Sequence, residues 1–138
     1  MEGAVEPLAP EPWPQHILGL ISPSLVIAGN LLGGVYTLLG VVFIWVVGPI
    51  LDLAMGESNT IRPPRDSGTP FTTLLWAHGV IHFAMMGTFF IFAFSEGLTV
   101  WLIAASLSTG LAAAASAIVT AHELGHQRPR SPGWRLAR

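Results

Sequence analysis

Long uncharged stretches alternate with short polar ones along most of this chain. No charged residue occurs from Pro12 to Leu51, which is about twice the 20 residues that one helix needs to cross a bilayer. Glycines and an asparagine divide this stretch near residues 29–34, and two more apolar stretches follow a polar loop at residues 56–70. The pattern predicts an all-α polytopic transmembrane bundle of about four spans, near residues 17–32, 35–53, 71–94 and 98–121.

The composition supports a membrane location. Of the 138 residues, 51% are hydrophobic and 10% are charged, whereas a soluble domain carries about 25% charged residues. The acidic, proline-rich residues 1–15 are predicted to be a disordered tail ahead of a transmembrane domain at residues 16–126. The absence of cysteine excludes disulfides and zinc–thiolate sites.

Positive charge predicts the orientation of the chain. With four spans, all six arginines fall on one side of the membrane, in the loop after the second span and in a basic tail at residues 127–138. Cytoplasmic loops are enriched in such residues, so both termini are predicted to be cytoplasmic, in a bacterial inner membrane. The chain has no lysine and no basic stretch before this tail, so nucleic-acid binding has no electrostatic basis.

The fourth predicted span ends in the string HELGH and is built mostly of small residues. Small side chains let helices approach closely in lipid, so this span is predicted to be wrapped by the others. His122 and His126 are one helical turn apart on one face and form a candidate chelating pair for a metal ion.

Three interpretations of this pair compete. A zinc membrane protease would use His122 and His126 as ligands and Glu123 as general base. A non-catalytic membrane scaffold would carry a helix-end histidine pair without a metal. The third interpretation, a non-haem diiron oxygenase, rests on more than the pair itself, although imidazole also suits iron.

The third interpretation is supported by a resemblance. Residues 120–126, TAHELGH, resemble the first histidine box of the alkane 1-monooxygenase (alkane hydroxylase) family, within the membrane fatty acid desaturase/hydroxylase superfamily. Residues 48–57, GPILDLAMGE, resemble the family's second-span ending, and the polar loop and two spans between these segments also fit.

The resemblance implies a helical bundle that holds two irons near the cytoplasmic face and hydroxylates the terminal methyl group of a hydrocarbon. Rubredoxin would supply electrons, O₂ would be the oxidant, and membrane lipid would surround the bundle. His122 and His126 would be iron ligands, and Glu123 would orient a ligand histidine. The family's later histidine boxes are not in this sequence, so the chain is expected to be an N-terminal fragment without turnover of its own.

His78 and His82 form a second pair four residues apart, inside the third span. Ionisable groups at membrane depth suggest function, so the pair would be extra ligands or part of a substrate channel. The favoured expectation is that each ring is neutral and hydrogen-bonded to a neighbouring helix.

Overall fold

The computed structural model describes residues 9–10, 12–56, 62–63, 68–127 and 131–136. Regular structure in these segments is entirely helical, which confirms the all-α class. Four helices are long and apolar enough to cross a membrane, and the protein is membrane-embedded. They are α1 (Trp13–Leu32), α2 (Gly34–Met55), α3 (Thr69–Glu96) and α4 (Val100–Gly125). A short helix, α5 (Pro132–Leu136), follows them.

The predicted spans differ from these helices at their ends. The helix α4 runs to Gly125 and therefore includes His122, which the predicted span ending at residue 121 does not. At the other end of the chain, Trp13 already begins α1, within the segment predicted to be disordered. Residues 1–8 and 11 of that predicted tail, and 128–130 and 137–138 of the basic tail, lie outside the described residues.

Local sequence explains where the helices start and stop. Proline occupies the first turn of α1 and of α3, where its missing N–H costs nothing. The Thr99 hydroxyl caps α4 by accepting a hydrogen bond from the backbone N–H of Leu102 at 3.3 Å. The tight turn between α1 and α2 uses Gly33 and Gly34, whose φ angles are 70° and 54°, and such angles favour glycine.

The helix α2 is irregular, which its sequence pattern did not predict. It begins as a 3₁₀-helix (Gly34–Leu38), continues as an α-helix (Leu39–Val42), widens to a π-helix (Phe43–Val47) and ends as an α-helix (Gly48–Met55). Pro49 cannot donate to the carbonyl of Trp45 and crowds it. The backbone N–H of Gly48 instead reaches back five residues to the Phe43 carbonyl, which is the π-type bond.

The helix α4 lies at the centre of the bundle. In its most apolar 18-residue window, 28% of residues are buried, against 22%, 6% and 11% for α1, α2 and α3. The side chains of its buried face are small and pack against α1, α2 and α3. They include Ala104, Ala105, Ser108, Thr109 and Ala112. The predicted wrapping of α4 by the other helices is found on one side only, because α1, α2 and α3 cover that side and leave Ile103, Leu107 and Ile118 exposed.

Polar side chains join the helices in the half of the bundle away from the HELGH string. The Ser108 hydroxyl donates to the Thr37 carbonyl at 2.5 Å and accepts the Val41 N–H at 3.2 Å, so it is inserted into one turn of α2. Asn30 on α1 donates to the Thr109 hydroxyl at 3.5 Å. These contacts tie α1 and α2 to α4 where the side chains are smallest.

The Ser108→Ala variant is expected to be destabilised by about 1 kcal/mol, the usual net value of an intramolecular hydrogen bond. The loss stays small because the Val41 N–H can then bond the Thr37 carbonyl directly and regularise α2. Denaturant titration in detergent micelles measures the stability, and hydrogen exchange reports the Val41 amide. Ser106→Ala is the matched control, since the Ser106 hydroxyl is exposed and bonds only its own helix, at Leu102. Equal stability of the two variants would contradict the role given to Ser108.

Candidate metal centre and the adjoining cavity

His122 and His126 face one another at the end of α4. Their Nε2 atoms are 3.1 Å apart and their ring centroids 4.5 Å apart, with an interplanar angle of 75°. The helical bond from the His126 N–H to the His122 carbonyl, at 3.2 Å, keeps the two residues in register. Both side chains are exposed, so an ion in water can reach both rings.

The end of α4 is held in place from its other side. Between the two histidines, Leu124 is only 2% exposed. The helix α5 packs there, and a Cβ added to its buried Gly133 would lie 3.0 Å from Leu124 Cδ2. The histidine pair therefore stands on an anchored helix end.

The separation of the two nitrogens fits a shared metal ion. Imidazole nitrogens lie about 2.0–2.1 Å from a bound metal, so two on one ion are about 2.9–3.4 Å apart at octahedral to tetrahedral angles. The observed 3.1 Å is in this range. Without a metal the same distance is a hydrogen bond in which one ring donates to the other. Among the described residues, no group of three or more histidine, aspartate or glutamate side chains that could hold a metal ion is found.

A cavity of about 720 Å³, here called the inner cavity, opens beside this end of the bundle. All four long helices contribute to it, and its walls are mostly apolar; they include Leu18, Ile44, Leu75, Ala112, Ala115 and Val119. Gln15, from the start of α1, and Glu123, from the end of α4, both line it, so these helix ends lie on the same side of the bundle. On α4, Ala115, Val119, His122 and His126 follow one stripe at helical spacing. Neither histidine lines the cavity, and the pair lies beyond its wall along this stripe.

The two members of the pair in α3 differ in their relation to the inner cavity. His78 lines the inner cavity, whereas His82 does not. The Nδ1 atoms of both rings are buried without a hydrogen-bond partner, so the predicted bonding to a neighbouring helix is wrong for these atoms. The reason is the facing surface of α4, where Thr120 is the one polar side chain among Ala117, Ala121 and Leu124.

Glu123 and His16 are both cavity residues. Glu123 makes no hydrogen bond to His122 or His126 in the described part of the chain, and its role as an orienting group stays a prediction. His16 packs edge-on against Phe71, with ring centroids 5.2 Å apart. Sequence reasoning missed His16 as a cavity residue, because its place in the first turn of α1 is equally typical of an interfacial side chain.

No protein-family model, no curated protein and no solved structure matches this chain. Its function therefore has to be inferred from the residues and geometry of the site itself.

Proposed function

We propose that this chain is the membrane-embedded part of a non-haem diiron monooxygenase that hydroxylates the terminal methyl group of hydrocarbons. One observation carries the proposal. The Nε2 atoms of His122 and His126 converge to 3.1 Å at the water end of a transmembrane helix, next in the chain to Glu123, which lines an apolar cavity. The HELGH string that supplies the pair resembles the family's first histidine box.

The inner cavity suits a hydrocarbon. Small-molecule sites commonly measure about 300–1,000 Å³ and are lined mainly by apolar groups, and this cavity measures about 720 Å³. A hydrocarbon offers no polar group to bind, so its affinity comes from the apolar surface that it buries. The leucine, isoleucine and alanine side chains of the walls would also keep water away from the hydrocarbon as it is oxidised.

In this proposal, His122 and His126 would hold one edge of the metal centre as neutral imidazoles. Iron, when bound, supplies the activation of O₂, with electrons from rubredoxin. Further histidines from polypeptide beyond the described residues would complete the ligand set. Glu123, which lines the cavity beside the pair, would help to orient a ligand histidine once the set is assembled.

The proposed orientation places the histidine pair at the cytoplasmic face of a bacterial inner membrane. The start of α1 and the end of α4 share one side of the bundle, and the arginines of the sequence lie in the loop and tail that belong to that side. Arginine-rich connections face the cytoplasm. A soluble electron donor such as rubredoxin could then reach the centre directly.

The test is an activity measurement on the whole open reading frame that encodes this chain. It is expressed with rubredoxin and its reductase in a host that does not oxidise alkanes, and membranes are supplied with n-alkanes and ¹⁸O₂. A 1-alkanol carrying ¹⁸O is the expected product. Iron-replete membranes that form no alcohol would overturn the proposal. Zinc-dependent cleavage of a membrane peptide, lost in Glu123→Gln, would overturn it in favour of a protease.

A further inference from the structure

A second space lies on the other side of the contact between α3 and α4. It measures about 120 Å³, and we call it the outer groove. Only α3 and α4 line it, through Gly79, His82, Phe83, Ala117, Ala121 and Leu124, together with His78 and Thr120. Phe83 is 65% exposed and Ala121 is also exposed, so the groove opens away from the bundle. It faces the surface of the bundle that meets lipid.

Two residues separate the outer groove from the inner cavity. His78 and Thr120 line both spaces, and they are the residues common to the two walls. Thr120 is small, and its neighbours Ala117 and Ala121 are smaller still. The imidazole of His78 is therefore the one bulky group in the partition between the two spaces.

The His78 ring reaches from α3 to the backbone of α1. A Cβ added to Gly19 would lie 3.1 Å from Cε1 and 3.2 Å from Nε2 of this ring, closer than most such contacts, so glycine makes room for it. The Nδ1 atom, which is bonded to Cε1, is buried without a hydrogen-bond partner. A buried polar atom without a hydrogen bond costs free energy, so filling this partition with histidine gains nothing from hydrogen bonding at Nδ1.

We propose that His78 is a specificity-determining residue that closes the passage between the inner cavity and the outer groove and so limits the length of the hydrocarbon chain that the cavity accepts. The identity of the ligand rests on the proposed function. The closure itself follows from the shared wall and from the contact with Gly19. A chain longer than the inner cavity can extend into the outer groove once the ring is removed.

The expected gain follows from the size of the groove. Its volume of about 120 Å³ holds about four groups of the size of a water molecule, and a methylene is of similar size. Each buried methylene raises a binding constant about fourfold. The His78→Ala variant should therefore bind chains two or more carbons beyond the wild-type limit at least about tenfold more tightly than the wild type does.

The experiment measures n-alkane binding to the whole chain in lipid nanodiscs, without any turnover. Thermal stabilisation is recorded for alkanes of increasing length, because a ligand that binds the folded state raises its stability by an amount that grows with the logarithm of its affinity. In the wild type, stabilisation should rise with chain length and then level off. In His78→Ala the alkane length at which stabilisation levels off should increase. Thr120→Ala opens the same partition from α4 and should increase this length by less.

Two control variants isolate the partition. His78→Leu keeps it filled and should keep the wild-type limit. His82→Ala enlarges the outer groove but leaves the partition intact, so the limit should again be unchanged. An unchanged limit in both His78→Ala and Thr120→Ala would overturn the inference while leaving the proposed function standing. A wild type that binds no alkane of any length would count against the inference and against the hydrocarbon substrate together.

Discussion

Replacing either His122 or His126 with alanine is expected to lower divalent metal affinity at this end of the bundle by at least about 10–100-fold, the range found for groups that merely support a ligand. Each variant removes one of two imidazoles whose Nε2 atoms are 3.1 Å apart. A chelating pair gains its affinity from holding both donors in place, so the remaining ring binds as an ordinary surface histidine. Visible spectra of Co(II) titrated into the purified chain, prepared without a histidine tag, measure the affinity.

The controls for this prediction distinguish the pair from ordinary surface binding. Glu96→Gln removes an exposed acid at the opposite end of the bundle and should leave Co(II) binding unchanged. His122→Ala combined with His126→Ala should bind only slightly more weakly than either single variant, since each single change already removes the chelate and the second removes one monodentate ring. Equal Co(II) binding by the wild type and the double variant would show that the pair does not bind metal, and neither metalloenzyme interpretation would then be supported. That result would favour the interpretation as a non-catalytic scaffold.

The spans and the metal pair could be predicted from the sequence because both depend on local information. A helix that crosses lipid must be apolar along its whole length, so three uncharged stretches, the first of them long enough for two helices, mark four spans. The spacing of His122 and His126 places them on one helical face in any α-helix. The small residues of the fourth span also indicated its central position, since Ala105, Ser108 and Ala112 are buried against other helices.

The cavity and its partition could not be predicted, because they depend on contacts between distant parts of the chain. His78 and Gly19 are on different helices, and no local pattern indicates that one makes room for the other. The same applies to the lone buried Nδ1 atoms of His78 and His82. Most buried polar atoms in proteins have a hydrogen-bond partner. The surface of α4 that faces these two Nδ1 atoms, however, offers few polar groups. The π-helix of α2 has a local cause in Pro49, but the way in which a helix absorbs a proline depends on its neighbours.

Gly40 is a position where a single added methyl group should destabilise the bundle strongly. A Cβ there would lie 2.5 Å from Val26 Cγ2 and 2.9 Å from Ser108 Cβ, so it meets α1 and α4 at once. Val26 is 1% exposed and belongs to the buried cluster with Met85 and Ala112. Neither neighbour can yield, because a β-branched side chain is stiff and a Cβ moves only with its backbone.

Gly40→Ala should therefore cost about 3 kcal/mol, the upper part of the range for overpacked cores. Thermal or denaturant unfolding in micelles measures the loss. Gly110→Ala is the control, since no atom outside its own helix lies within 4 Å of the added Cβ, and it should be neutral or slightly stabilising because alanine favours helix. Adding Val26→Ala to Gly40→Ala should restore part of the stability, as the two changes share one space. Additive losses in this double variant would mean that α1 and α2 are not in contact at Gly40, and the close approach of these two helices would then have to be abandoned.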